Sequence, residues 1–204
     1  LIYNFVDVES LQAEHESLNV TRPEGPLLIG LVGRLVPVKR VDLFIETIEK
    51  LANYHRRTVN GVIIGDGPLR EQLEQKVQRA SLIDIVQFRG FVDPAASEIR
   101  KLDVLMMTSD HEGLPMTLIE ALALGVPVIA HNVGGVPEAL GFGRCGVLVE
   151  EHSAAGYAMA VDNAVNNPGH LRKLSDEGLK HVRNVFDIKV NTDEYLSLYC
   201  SLLP

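Results

Sequence analysis

Short apolar segments alternate with longer amphipathic segments along most of this sequence, and this order restricts the fold more than any other feature. The short segments are apolar throughout, which is typical of strands buried on both faces of a parallel sheet. We predict strands at Leu27–Val32, Val59–Ile64, Ile85–Phe88, Asp103–Met107, Val126–Ala130 and Gly146–Val149. Segments with helical periodicity predict helices at Val41–His55, Pro68–Ala80, Ala95–Lys101, Pro115–Leu124, Val136–Leu140, Ala154–Asn166, Leu171–Phe186 and Ile188–Leu203.

This alternation predicts an α/β fold with a doubly wound, Rossmann-like parallel sheet of about six strands and helices on both faces. In such folds the ligand binds at the carboxyl ends of the strands. We expect this domain to span residues 27–186. Residues 1–26, rich in acidic residues and proline, are interpreted as an extended interdomain linker. Residues 187–204 are expected to form an extra C-terminal helix.

Composition narrows the classes of partner. The 204 residues are 46% hydrophobic and carry a net charge of −8, which argues against a general nucleic-acid or membrane-surface role. No stretch approaches the roughly 20 apolar residues of a transmembrane segment. The first residues lack a signal-peptide pattern, and Cys145 and Cys200 have no metal-binding spacing. We therefore expect a cytoplasmic protein with a small-molecule partner.

The segment 109–127 contains the strongest candidate site. It follows a predicted strand and reads Ser-Asp-His-Glu-Gly-Leu-Pro-Met-Thr-Leu-Ile-Glu-Ala-Leu-Ala-Leu-Gly-Val-Pro. Gly113 allows a tight exit from the strand, and Pro115 suits the first helical position, where its missing N–H needs no partner. The free N–H groups of the first helical turn predict an anion site. Glu112 and Glu120 could bind neutral hydroxyl groups on either side of that anion.

Each of these two carboxylates also has an ordinary interpretation. Glu112 stands near a helix N-terminus, where the helix dipole alone favours it. Glu120 could be solvated on the helix face. The run from Leu118 to Ala123 is otherwise apolar, however, so we expect Glu120 to be partly enclosed and to need partners.

Two more loops that follow predicted strands add candidate ligand groups. Gly33, Arg34 and Lys39 follow the first strand, and the two cations could bind a diphosphate. A solvated basic loop fits that sequence equally well. Residues 65–68, Gly-Asp-Gly-Pro, follow the second strand but are not the dinucleotide fingerprint, because Arg70 occupies the position of its third glycine. A plain strand-to-helix turn is the stronger interpretation there.

A metal site is not expected. The His-Glu pair at 111–112 begins a zincin motif, but Leu114 occupies the position of the second histidine, and Pro115 prevents the segment from lying mid-helix. His111 and His131 could contact a ligand or could be solvated loop residues. No nucleophile with an adjacent base is recognisable.

Read together, the loops resemble the C-terminal half of retaining glycosyltransferases of the GT-B fold, of the group 1 or family 4 type. That large family includes sucrose synthases and many bacterial mannosyl- and glucosyltransferases. The order and spacing match over nearly the whole chain, and the motifs are Gly33-Arg34 with Lys39, residues 65–68, and residues 112–115 with Glu120. The two glutamates stand as in the family's E-x7-E signature. Residues 133–138, whose glycines could also form a plain turn, resemble the donor-side loop, residues 2–7 the interdomain crossover, and residues 195–203 the final helix.

The resemblance implies a binding site for a UDP- or GDP-sugar donor. Arg34 and Lys39 would hold the diphosphate and stabilise charge on the leaving group, and Glu112 would orient the transferred hexose. These three form the implied catalytic set. Glu120 would bind the ribose hydroxyls. The complete implied donor-binding set is Gly33, Gly65, Gly67, Phe91, Gly113, Leu114, Pro115, Met116 and Glu120.

The family also implies transfer with retention by front-side attack, without a metal or other cofactor. Arg40 departs from the pattern, because the family often has glycine there, and this puts the shape of the loop in question. The family's N-terminal acceptor half has no counterpart in this sequence. We therefore expect a donor-binding domain of a longer enzyme, which alone binds nucleotide weakly and transfers little sugar. Peripheral membrane contact of that enzyme is left open.

Two other interpretations stay open. A sugar-nucleotide epimerase-like or phosphorylase-like protein would have the same fold, although the cation and glutamate spacings fit transferases better. A nucleotide-sugar-binding module without catalysis would retain the donor site alone.

Overall fold

The computed structural model describes residues 3–18, 25–53, 58–167 and 169–202, and its centre is a single parallel sheet. The six strands are β1 (Leu27–Val32), β2 (Val59–Ile64), β3 (Val86–Gly90), β4 (Val104–Met107), β5 (Val128–His131) and β6 (Val147–Val149). Their order across the sheet is β3-β2-β1-β4-β5-β6, so the direction of winding reverses between β1 and β4. Such a reversal opens a crevice at the carboxyl ends of these two strands, where doubly wound folds bind ligands. The predicted fold class is confirmed.

Helices cover both faces of this sheet. Their bounds are α1 Val8–Leu18, α2 Val41–Asn53, α3 Arg70–Arg79, α4 Ala96–Ile99, α5 Met116–Ala123, α6 Val136–Ala139, α7 Ala154–Asn166, α8 His170–Val185 and α9 Ile188–Leu202. A 3-10 turn at Pro37–Lys39 lies between β1 and α2. None of the helices in the described part of the chain is long and apolar enough to cross a membrane.

Alternate residues of the strands pack into two separate apolar layers, one on each face of the sheet. On one face, Ile29 and Leu31 of β1 pack with Phe44 of α2 and with side chains of α3 and α7. On the other face, Leu105 of β4 packs with Leu122 of α5 and with side chains of α6 and α8. Because both faces are covered, every central strand is apolar at successive positions. The second layer holds α5 rigidly beneath the crevice.

The predicted elements are present, and their described bounds differ from prediction by at most two residues. Differences of two residues occur at strand ends, where β3 runs on to Gly90 and β5 begins at Val128, and at helix ends, where α3 begins at Arg70 and α4 ends at Ile99. The predicted ends of two helices, His55 and Leu203, lie outside the described residues. The period of apolar residues was therefore a sufficient guide to this sheet.

Residues 1–26 were expected to be extended, and this conformation is wrong for their central part, since residues 8–18 form α1. The carboxylate of Asp7 starts this helix by accepting hydrogen bonds from the backbone N–H of Ser10 at 2.9 Å and from its hydroxyl at 2.7 Å. Val8 is buried in the second apolar layer. Just before the helix, Val6 pairs with Asp187 at the start of α9. The leading segment and the last helix therefore meet.

Candidate functional site

The loops after β1 and β2 pack directly against each other at the carboxyl edge of the sheet. The N–H of Gly33 donates to the carbonyl of Ile64 at 2.9 Å. A Cβ atom on Gly65 would stand 1.9 Å from the carbonyl oxygen of Gly33, and one on Gly67 would stand 2.6 Å from that of Leu35. Only glycine allows this approach at either position. The two glycines of the Gly-x-Gly turn are therefore explained by packing, whatever they contact in a ligand.

The loop after β3 joins the same edge. The N–H of Gly65 donates to the carbonyl of Gly90 at 2.7 Å, and the next residue, Phe91, has 77% of its surface exposed. An aromatic ring left this exposed beside a backbone turn can cover the flat face of a ligand. The structure thus brings Gly65, Gly67 and Phe91 together, as the resemblance implied.

The exit from β1 carries the cations. Arg34 is exposed, and Lys39 ends the 3-10 turn. The next residue, Arg40, adopts a left-handed conformation with φ 46° and ψ 46°, which glycine adopts at lower cost. Its guanidinium lies 3.1 Å from the carboxylate of Asp42 and 3.2 Å from that of Asp110. The loop therefore keeps a turn that suits glycine although arginine occupies it.

Residues 108–110, at the exit from β4, are tied to this cationic loop. The hydroxyl of Thr108 donates to the carbonyls of Lys39 and Arg40, at 2.9 Å each. The N–H of Asp110 donates to the carbonyl of Val38 at 2.8 Å. The two loops that flank the crevice therefore hold each other in place.

The main charged contact of the crevice joins these two loops. The ammonium of Lys39 lies 2.6 Å from Oε1 of Glu112, and the Ser109 hydroxyl donates to the same oxygen at 2.6 Å. Only 9% of the Glu112 side chain is exposed, against 26% for Lys39. A carboxylate that is buried to this extent needs a charged or hydrogen-bonding partner, and here it has both.

The start of the helix that follows was predicted as an anion site, and its first residue needs one correction. Pro115 is the N-cap of α5 in an extended conformation, with φ −76° and ψ 118°, and Met116 is the first helical residue. Pro115 was predicted inside the helix, and this was wrong by one position. Pro115 makes no side-chain cap hydrogen bond, and the first N–H groups of a helix have no partner within the helix, so they remain available to a ligand.

The glycine loop after β5 supports the segment from Glu112 to Leu114 from behind. A Cβ on Gly134, which has φ 55°, would lie 1.8 Å from the carbonyl oxygen of Glu112. A Cβ on Gly135 would lie 2.3 Å from that of Gly113. Gly113 itself has nothing within 4 Å of its Cβ position. The loop after β5 therefore fixes the backbone of Glu112, while Gly113 borders open space.

Glu120 is partly enclosed on α5, as predicted. Burial raises the pKa of its carboxyl group, because removal from water disfavours the charged form. No side chain among the described residues pairs with it, so those residues do not supply the partners expected from the sequence. A carboxylate in this state is suited to accept hydrogen bonds from ligand hydroxyl groups.

A set of three rings, which we call the ring stack, was not predicted from the sequence: Tyr157, His152 and His131. The two imidazoles are stacked with centroids 3.7 Å apart, and Tyr157 meets His152 edge-on at 6.0 Å. Their polar atoms bond the backbone carbonyls of residues 107–109. His131 was named as an ambiguous loop histidine, and the only available signal for His152 was its place after the sixth strand. His111 is exposed.

No cluster of three or more potential metal ligands occurs among the residues for which the structure gives positions. Of the residues chosen from sequence, Gly33, Lys39 and Glu112 form one connected group. Arg34 and Phe91 are exposed, and Glu120 lies partly enclosed on α5.

The sequence matches a known protein family and is similar to curated proteins. The sequence model of the family described as "Glycosyl transferases group 1" matches residues 13–181. The D-inositol 3-phosphate glycosyltransferase of Streptomyces bingchenggensis (strain BCW-1) is 31% identical over 169 residues, which are 78% of this chain and 37% of that protein. This chain therefore corresponds to well under half of that curated relative.

Two solved structures are similar over most of the chain. One is the C-terminal domain of a glycosyl transferase group 1 family protein from Francisella tularensis, with a TM-score of 0.73 and 27% identity, covering 90% of this chain and 99% of that one. The other is HepE of Anabaena in complex with UDP and glucose, with a TM-score of 0.80 and 22% identity. It covers 98% of this chain and 56% of the Anabaena chain. At that identity the second similarity establishes the fold alone.

Proposed function

This chain belongs to the glycosyl transferases group 1 family, and on that premise we propose that it is the donor-binding half of a retaining glycosyltransferase. In this proposal it holds a UDP- or GDP-sugar while the hexose is transferred to an acceptor. The Anabaena protein, which has the same fold and is named in complex with UDP and glucose, supports a nucleotide-sugar donor.

The observation that carries the proposal is the Lys39–Glu112 pair at the switch point of the sheet. Its 2.6 Å contact places one cation and one enclosed carboxylate at the mouth of the crevice. A diphosphate would draw Lys39 toward itself, together with the exposed Arg34 and the free N–H groups of α5. Glu112 would then accept hydrogen bonds from hexose hydroxyl groups while Ser109 continues to hold it.

The proposed chemistry follows from where charge develops. Cleavage of the bond between the anomeric carbon and the phosphate oxygen places negative charge on the leaving nucleoside diphosphate. Fixed cations and N–H groups aimed at that charge stabilise the transition state more than the ground state. Arg34 and Lys39 supply this stabilisation, so the proposal requires no metal. Glu112 acts as a hydroxyl clamp, and Glu120, whose pKa burial raises, accepts from the ribose.

The acceptor site belongs, in this proposal, to a second domain. The chain spans 37% of the length of the Streptomyces relative, and the apolar residues Leu196, Tyr199 and Leu202 are exposed along α9. We propose that this helix packs on the acceptor half and that the isolated chain binds donor but transfers little sugar. Free Cys145 and Cys200 support a cytoplasmic location in the proposal.

Calorimetric titration of this chain with UDP and with GDP tests the donor site. Lys39→Ala should weaken binding of the preferred nucleotide about ten- to hundred-fold, the range for loss of a charge-assisted hydrogen bond. Lys180→Ala is the matched control, because Lys180 pairs with Glu177 at 2.9 Å on the surface of α8. That variant should bind like the original chain. Absence of binding to both nucleotides, or equal affinity of all three proteins, would contradict the donor-site assignment.

Glu112→Gln separates the roles of the two partners. The amide oxygen can still accept from Ser109 and Lys39, but a negative charge beside the diphosphate is removed. UDP should therefore bind as tightly as before or several-fold more tightly, whereas the additional affinity for UDP-glucose over UDP should fall. A loss of UDP affinity equal to that of Lys39→Ala would show that Glu112 is not a sugar ligand.

A further inference from the structure

The exit of β4 is held by side-chain donors on consecutive carbonyl groups. The hydroxyl of Tyr157 donates to the carbonyl of Met107 at 3.1 Å. Nε2 of His152 lies 2.9 Å from the carbonyl of Thr108, and Nδ1 of His131 lies 3.0 Å from the carbonyl of Ser109. Because a carbonyl only accepts, each of these ring nitrogens must carry its proton.

The donors come from different parts of the sheet. His131 ends β5, His152 follows β6, and Tyr157 lies on α7. Burial raises the pKa of Tyr157, so its hydroxyl stays a donor. Thr108 and Ser109 are 0% and 3% exposed, so water cannot replace a lost partner for their backbone groups. The ring stack therefore supplies hydrogen-bond donors to the buried backbone carbonyls at the exit of β4.

A second set of contacts fixes the orientation of the stack. Nδ1 of His152 lies 3.5 Å from Oδ1 of Asp110, and the same oxygen lies 3.2 Å from the guanidinium of Arg40. The N–H of Asp110 donates to Val38. The stack is thus linked through one carboxylate to the cationic loop on the opposite side of the crevice.

From these contacts we propose that His131 and His152 are positioning residues for the donor site, acting through the backbone of residues 108–110. Ser109, whose carbonyl accepts from His131, uses its hydroxyl to hold Glu112 at 2.6 Å. The two histidines fix where Ser109 stands and so where the Glu112 carboxylate meets a sugar. This inference rests on the proposed function, because Glu112 matters here as the residue that contacts the donor.

The test separates hydrogen bonding from ring packing with paired variants. His152→Phe and His131→Phe keep a ring in the stack but remove the donors. His152→Gln places an amide nitrogen near the position of Nε2, and His131→Asn does the same for Nδ1. The ligand-free readout is hydrogen exchange of the Asp110 amide, measured by NMR. The control amide is that of Ile188, which donates to Val6 at 2.9 Å far along the chain.

Each phenylalanine variant should speed exchange at Asp110 about ten-fold, the scale of one lost hydrogen bond, with exchange at Ile188 unchanged. The amide variants should restore the rate to within about three-fold. Unchanged exchange at Asp110 would overturn the proposal, and so would equal acceleration at both amides, which would indicate general destabilisation.

Titration with UDP-glucose completes the test. Affinity should fall about ten-fold in the phenylalanine variants and recover in the amide variants. If exchange at Asp110 accelerates but UDP-glucose affinity does not change, the backbone of residues 108–110 does not position the donor site and the inference fails. If the original chain binds neither UDP-glucose nor GDP-glucose, the proposed function fails, and with it the donor role of the histidines. The exchange data then still decide whether the two histidines hold the backbone of residues 108–110.

Discussion

Gly134→Ala should damage both stability and donor binding, because the added methyl group would clash with the backbone of Glu112 and not with a flexible side chain. The Cβ would lie 1.8 Å from the carbonyl oxygen of Glu112, whereas real Cβ contacts essentially never fall below 3.0 Å. The backbone of Glu112 must therefore shift by about 1.2 Å. No rotamer change can relieve the clash, and the shift acts directly on the 2.6 Å contact between Glu112 and Lys39.

The size of the effect can be divided between two causes. Gly134 has φ 55°, and alanine in a left-handed conformation costs about 1–2 kcal/mol. The clash adds about 1–3 kcal/mol, the range for overpacking. Gly169→Ala is the matched control, because Gly169 has φ 79° but nothing within 4 Å of its Cβ position. That control should show the conformational cost alone.

Differential scanning calorimetry measures the difference. In a chain of this length about 1 kcal/mol corresponds to 2–4 °C in Tm. Gly169→Ala should lower Tm by about 2–8 °C and Gly134→Ala by about 4–20 °C, with the larger fall always in Gly134→Ala. Only Gly134→Ala should weaken UDP-glucose binding. Equal Tm values for the two variants would refute the claim that the loop after β5 fixes Glu112.

Three further changes test other parts of the fold. Ser153→Ala removes the N-cap of α7, which accepts the N–H of Gly156 at 3.1 Å, and should lower Tm by about 2–4 °C for about 1 kcal/mol. Burial raises the pKa of Glu120 above 4.5, so its contribution to stability is full below the unfolded pKa and is lost as the pH rises through the folded pKa. Glu120→Gln removes that loss, and its urea midpoint should rise relative to the original chain between about pH 4 and pH 7. Arg40→Gly relieves a left-handed arginine but loses partly exposed pairs with Asp42 and Asp110, so the free energy of unfolding in urea should change by no more than about 1 kcal/mol.

The central strands were predictable because burial on both faces makes them largely apolar runs, whereas the edge strand β3 alternates between less and more exposed residues. β1 and β2 coincide with the predicted bounds. Helix α1 was not predicted, because its apolar residues are few among acidic ones. The sequence signals for it were Asp7 as an N-cap and the spacing of Val8 and Leu11 on one face. In the structure the N–H of Ser10 lowers the pKa of the Asp7 carboxyl, as expected for an N-cap. The helix packs on α5, a long-range contact that local sequence patterns do not reveal.

The site was predictable at the level of which loops converge but not of which side chains pair. Loops that follow parallel strands must meet at one edge of the sheet, and this brought Lys39 and Glu112 together. The ring stack depends on the register of β4, β5 and β6 and on the direction of α7. No period or spacing in the sequence indicates such a long-range arrangement. The left-handed turn at Arg40 was equally hidden, because arginine gives no local signal for it.

The Lys39–Glu112 pair gives the proposed donor site a coupling between the two ends of its ligand. In the unliganded crevice the cation is already partnered, so a diphosphate must compete with an enclosed carboxylate, and its affinity reflects only the difference between the two partners. When Lys39 turns to the diphosphate, Glu112 retains the Ser109 hydroxyl at 2.6 Å but loses its charged partner. A buried carboxylate in that state gains more from sugar hydroxyl groups than a paired one does. The site therefore favours a ligand that presents diphosphate and sugar together over either part alone, and free nucleoside diphosphate, which leaves Glu112 uncompensated, should be released more readily than the intact donor.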